Sequence, residues 1–149
     1  MRAVVDSSVL VASLVDEDSA GHWARTFMST CQIMAPDHVL VEVCNALRRM
    51  AQAGLISQEQ ATSKFHSLML LDLELCRFKP LAQRIWELRG NLTSHDAWYV
   101  ALAERLHCPL LTLDMRLGRA PGPLCDIITP QSGLPETVVH QSVAGTASQ

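Results

Sequence analysis

"TSHDAWYVALAERLHCPLLTLD", residues 93–114, carries two kinds of patterning in one stretch. From Asp96 onward apolar residues recur at helical spacing, so its first part reads as a strongly periodic helix with Thr93 or Ser94 as the cap. "PLLTLD" then reads as a short buried strand that stops at Asp114. A helix feeding a buried strand is the repeating unit of an α/β fold. The stretch "VVDSSVLV", residues 4–11, shows the complementary half. Here the buried strand "RAVVD" stops at Asp6, and the helix "VLVASLVDED" follows, with Ser7 or Ser8 available to cap it.

The same alternation runs through the chain. "CQIMAP" is a strand ended by Pro36, "DLELCRF" alternates like a strand, and "CDIITP" is a last short strand. Between them, "DHVLVEVCNALRRMAQAG" reads as a helix with Gly54 just past its end. "SQEQ" from Ser57 is a capping box opening a helix to about Leu71. "KPLAQRIWELRG" places Pro80 near a helix start and Gly90 at its end. About five short strands alternating with helices predict an α/β sandwich around a mostly parallel sheet. Residues 1–130 form the expected domain. Residues 131–149, rich in small polar side chains, read as a flexible C-terminal tail.

The chain has 149 residues, 48% of them apolar and 18% charged, which fits one globular domain. The net charge of −3 gives no polybasic signature for nucleic acid. Ten of the twelve basic residues are arginines, the residue that pairs with phosphate in a bidentate way. Five cysteines, at 31, 44, 76, 108 and 125, form an odd set without C-x-x-C. That argues for reduced thiols in a cytoplasmic protein and against a disulfide scaffold or zinc knuckle. Asp6 and "DEDS" break the resemblance of the N-terminus to a signal peptide. No apolar run is long enough to span a membrane.

Four acids stand out from their surroundings. Asp6 and Asp114 end strands, and in open parallel sheets ligands bind beyond the carboxyl ends of strands. Glu42 lies among apolar residues in "VLVEVC". It has no helical ion partner forward, and His38 at i−4 is the one titratable neighbour, so it needs a partner from elsewhere. Asn45 and Arg49 share its helix face one and two turns on. Asp96 sits at the positive end of a helix. Each acid also has an ordinary reading: Asp6 and Asp114 as turn or cap residues, Asp96 as a capping acid, and Glu42 paired with an arginine across the core. Collected in one crevice, four carboxylates would repel one another, and a hard cation such as Mg²⁺ or Mn²⁺ would resolve the conflict. Such an ion can activate water against a phosphodiester.

The stretches "VVDSSVLV", "VEVCNALRR", "TSHDAWYVALAERLHCPLLTLDMRL" and "CDIITP" resemble, in order and approximate spacing, the PIN-domain ribonucleases, and most closely the VapC toxins of bacterial toxin–antitoxin pairs. The resemblance covers roughly residues 1–130 and implies a three-layer α/β/α sandwich. It implies that Asp6, Glu42, Asp96 and Asp114 form an acidic metal site. Ser8 stands at a small hydroxyl position near the first acid, and Thr112 two residues before the last. It further implies a Mg²⁺-dependent endoribonuclease (Mn²⁺ substituting) that cuts structured RNA to leave a 5′-phosphate and a 3′-hydroxyl. A homodimer and a small cognate antitoxin, which inserts a segment into the site, complete the expectation. Met115, Arg116 and Leu117 occupy places where some PIN domains carry a further Asp or Asn, so one or two ions remain open.

Asn45 and Arg116 are candidate supporting residues. Arg116 and Arg119 could contact phosphate or form a solvated face. His95 reads as an exposed residue at a helix start, and Trp98 and Tyr99 as core or dimer contacts. Met50, Met69 and "HSLMLL" read as packing or as part of an antitoxin groove. Two other classes compete. One is a catalytically weak PIN domain that only binds RNA or a partner. The other is an aspartyl phosphatase, disfavoured because Ser8 stands where Asp-x-Asp needs its second acid.

Overall fold

The computed structural model describes residues 1–132. Five strands, β1 (Arg2–Val5), β2 (Gln32–Pro36), β3 (Leu73–Cys76), β4 (Leu110–Leu111) and β5 (Ile127–Ile128), form one sheet in the order β3-β2-β1-β4-β5. Every pairing in it is parallel. Six helices connect them: α1 (Ser7–Val15), α2 (Ser19–Thr30), α3 (Val39–Gln52), α4 (Gln58–Leu70), α5 (Ala82–Glu87) and α6 (Ser94–Leu106). The predicted strands and their parallel arrangement are all present. The expected tail lies outside the described residues except for Gln131 and Ser132, which finish a 3-10 turn begun at Pro130.

The sheet is central because its middle strands are apolar on both faces, as buried parallel strands must be. Ala3, Val4 and Val5 of β1 and both leucines of β4 are fully buried. The chain runs outward from β1 to β2 and β3, then returns to place β4 on the other side of β1. Right-handed crossovers therefore put helices on both faces. On one face α1 packs against α2 and α3, and α3 against α4; on the other, α6 lies over β1, β2 and β4 and carries α5. Helix α6 buries Ala97, Tyr99, Val100, Ala101, Leu102 and Ala103. Burial of Val100 and Leu102 contributes roughly 1.5–3 kcal/mol each as an upper estimate.

The reversal of direction occurs between β1 and β4. That is the topological switch point, where adjoining connections leave toward opposite faces and open a crevice. Asp6 follows β1 directly, and Thr112–Asp114 follow β4.

One element was not foreseen. Helix α2 spans a stretch whose apolar pattern is thin, yet Gly21, Trp23, Ala24 and Phe27 are buried on it. Trp23 and Phe27, one turn apart, meet at 5.0 Å between ring centroids.

Candidate metal centre

Asp6 ends β1 and caps α1. Its extended backbone (φ −89°, ψ 174°) turns the carboxylate back onto the helix, where Oδ1 accepts from the Val9 amide at 3.1 Å. The cap is therefore Asp6, the ordinary reading of that residue, and not Ser7 or Ser8. An aspartate in this place satisfies a free helix amide while keeping its charge at the helix's positive end.

That leaves both serines free for other partners. Ser8 Oγ donates to Asp6 Oδ1 at 2.5 Å and accepts from the Leu113 amide at 3.0 Å. Thr112 Oγ1 donates to Asp6 Oδ2 and accepts from the Asp114 amide at 2.9 Å. Each hydroxyl has one proton, so these directions are fixed. Two hydroxyl relays thus tie the carboxylate after β1 to the backbone after β4. Burial pushes the Asp6 pKa up, the Ser8, Thr112 and Val9 hydrogen bonds pull against it, and the Glu42 charge adds to the rise; the net shift is upward.

Glu42, in the first turn of α3, is not the unpartnered buried acid that its sequence neighbours implied. Its side chain keeps 26% exposure, and His38 Nε2 stands 2.6 Å from Oε1. The approach is close though off the straight hydrogen-bond angle, and the other ring nitrogen, Nδ1, is buried without a hydrogen-bonded partner. Ser7 Oγ donates to Oε2 at 2.6 Å, and His95 Nδ1 lies 3.2 Å from Oε1. Burial raises the carboxyl, but the His38, Ser7 and His95 contacts outweigh it and hold the pKa down at about 2. His95 is exposed, as expected, but its contact with Glu42 was not foreseen.

Asp96 follows the Thr93 cap, whose Oγ1 accepts from its amide at 3.2 Å. Burial raises its pKa, Thr93 lowers it, and the charges of Asp114 and Glu42 raise it further. Asp114 is held low first by Arg116. The arginine donates through Nε at 3.3 Å and through its terminal nitrogen at 3.2 Å, and the Arg116 amide adds a bond at 2.9 Å. Asn45 lies with Ser7, Ser8, Asp16, Glu42 and Arg49 along a groove of about 430 Å³ between α1 and α3.

The four acids therefore share one electrostatic neighbourhood: Glu42 repels Asp6 and Asp96, and Asp114 repels Asp96. Burial together with mutual repulsion raises two of them, the condition that a hard dication relieves. Carboxylate oxygens are the donors such an ion takes, so the residues present fit Mg²⁺ or Mn²⁺.

The fold and the crevice place this chain in a known class. It belongs to the PIN domain family, whose model matches residues 3–123. Ribonuclease VapC1 of Mycobacterium tuberculosis is 38% identical over 127 residues, covering 85% of this chain and 96% of that protein. Among solved structures, PAE2754 from Pyrobaculum aerophilum matches with a TM-score of 0.68 at 20% identity, covering 96% of this chain and 90% of that one. A chain of the toxin–antitoxin complex from Klebsiella pneumoniae matches with a TM-score of 0.62 at 17% identity, covering 86% and 97%. Among the described residues no helix is long and apolar enough to cross a membrane.

Proposed function

We propose that this chain is an endoribonuclease toxin that hydrolyses RNA phosphodiester bonds at a centre formed by Asp6, Glu42, Asp96 and Asp114, with Mg²⁺ or Mn²⁺ held by these carboxylates. The observation that carries the reading is the pair of hydroxyl relays that lock Asp6 to the segment bearing Asp114 at the sheet's switch point. Catalytic carboxylates need fixed positions, and shared second partners supply that. When bound, the ion supplies Lewis acidity toward water and neutralises charge on a phosphodiester oxygen.

The residues have separable tasks. Asp6 is the rigid acid, with both oxygens oriented by the protein. Asp96, raised by burial and then by its acidic neighbours, is the carboxylate that gains most from a counter-charge. Arg116, largely exposed beside Asp114, and Arg49, in the groove beside Glu42, offer cations to the RNA backbone. The ribonuclease name of the VapC1 relative supports the substrate class. The shared fold with a chain of a toxin–antitoxin complex supports a cognate antitoxin as partner. A homodimer and a cytoplasmic location belong to the same proposal.

The test is cleavage of a structured RNA with Mg²⁺ or Mn²⁺, against excess chelator and against Asp6→Asn and Asp96→Asn. Cleavage should vanish with chelator. It should fall on the order of 10²-fold or more in each variant, the scale for removing a charge that faces the reaction. Wild-type rates in both variants would show that these acids are not the centre.

A further inference from the structure

Among the described residues, the tightest group of potential metal ligands is not made of the four acids. It is His38, Glu42 and His95, each offering one ligand atom within 4.8 Å of the others. Two imidazoles and one carboxylate are a borderline donor set. It suits Zn²⁺, Ni²⁺ or Co²⁺ better than Mg²⁺, which prefers oxygen alone.

The group is built from two helices and pinned by aromatic packing. His38 precedes α3, one turn before Glu42, and His95 is the second residue of α6. The His38 ring stacks on Trp98 at 4.6 Å with 16° between planes, and its edge meets the His95 ring at 4.8 Å. Trp98 lies one turn beyond His95, so α6 supplies both a ligand and the platform that fixes the other ring. His38 Nδ1 is buried without a hydrogen-bonded partner, and Nε2 faces the Glu42 carboxylate at 2.6 Å, so packing and Glu42 alone hold the ring. Nε2 is thus turned toward the oxygen it shares with His95, where an ion would take both rings and the carboxylate. Ser7 orients Glu42 through the oxygen that does not face the histidines. His95, with 69% of its side chain exposed, leaves the group open to solvent for entry of an ion and for a water ligand.

We propose that His38, Glu42 and His95 form a binding site for a Zn²⁺-class divalent ion, and that filling it withdraws Glu42 from the all-carboxylate centre. The second half rests on the reading of Glu42 given under Proposed function. Zn²⁺ then opposes Mg²⁺ through a shared ligand.

The experiment uses the full chain, stripped with chelator and held in millimolar Mg²⁺, with Co²⁺ as a coloured stand-in for Zn²⁺. Visible d–d bands should saturate near one equivalent without the near-ultraviolet charge-transfer band of a cobalt thiolate, and Zn²⁺ should bleach them. His95→Ala changes an exposed side chain, and with His38→Gln as the second variant it should weaken Co²⁺ and Zn²⁺ binding by about 10-fold or more. Asp96→Asn should keep the bands. Absent bands in the parent, a thiolate band, or unchanged affinity in both histidine variants overturns the site. In cleavage assays, Zn²⁺ should suppress the Mg²⁺-supported rate, and His95→Ala should need about 10-fold more Zn²⁺, relative to its own Mg²⁺ rate. Zn²⁺ that binds yet leaves cleavage intact overturns the withdrawal of Glu42. A parent that cuts no RNA at all removes the ribonuclease reading, while the cobalt spectrum still decides the site.

Discussion

Asp6 accepts from a backbone amide and two hydroxyls, and each hydroxyl in turn accepts from an amide beyond β4. Removing the Thr112 hydroxyl therefore strands two groups, Asp6 Oδ2 and the Asp114 amide, whereas Oδ1 keeps the Val9 amide if Ser8 is lost. Thr112 is fully buried, so water does not replace it. Thr112→Val keeps shape and burial but loses both bonds. It should lower unfolding free energy by about 1–3 kcal/mol in urea titration, with Thr112→Ser recovering most of the loss. Equal stability of the Val variant and the parent would show that the relay contributes nothing to the fold. The same geometry explains why Asp6→Asn is an imperfect probe by itself: an amide NH₂ would face donors, so the loss mixes structure with chemistry. Asp96→Asn leaves its helix cap, Thr93, in place and is the cleaner of the two.

At the scale of elements, the tightest junction is between α1 and α2. A Cβ on Gly21 would sit 2.0 Å from the Asp16 carbonyl oxygen and 2.7 Å from its carbon. Backbone atoms at a helix end cannot turn aside as a side chain can. Gly21→Ala should therefore cost about 1–3 kcal/mol despite alanine's better helix propensity, seen as a lower denaturation midpoint. A gain in stability would mean that α2 stands further off. This helix also marks where the sequence ran short. Its buried face includes a glycine and an alanine, whose small side chains give little apolar signal, and the Trp23–Phe27 pair was the readable trace. The strands were legible because unbroken runs such as "AVV" and "PLL" leave few alternatives. Asp6, Glu42, Asp96 and Asp114 were legible as acids in places where solvent was not expected. The partners of Glu42 were only half legible: His38 sits one helical turn away, but His95 arrives from another helix, and no local pattern records that approach.

For the whole molecule, the proposed metal centre predicts a stability that depends on metal. An ion that binds the folded centre and not the unfolded chain stabilises by mass action, about 2.7 kcal/mol at a hundredfold excess over Kd. Mg²⁺ should raise the Tm of the chelator-stripped protein by several degrees, and Asp96→Asn should abolish most of that rise; a parent Tm indifferent to millimolar Mg²⁺ would count against the centre. The strand order also sets a schedule. Asp6 and Thr112 are 106 positions apart, and β4 follows α6 in the chain. Chains are made from the N-terminus, so the residues of β1 leave the ribosome before those of β4. A ribosome-bound chain that has exposed β1 to α5 already holds Asp6 and Glu42, but lacks Asp96, Thr112 and Asp114. The proposed centre is thus incomplete until β4 and the residues just after it have emerged. On the proposed ribonuclease reading, a nascent chain stopped short of Thr112 and Asp114 has no working centre.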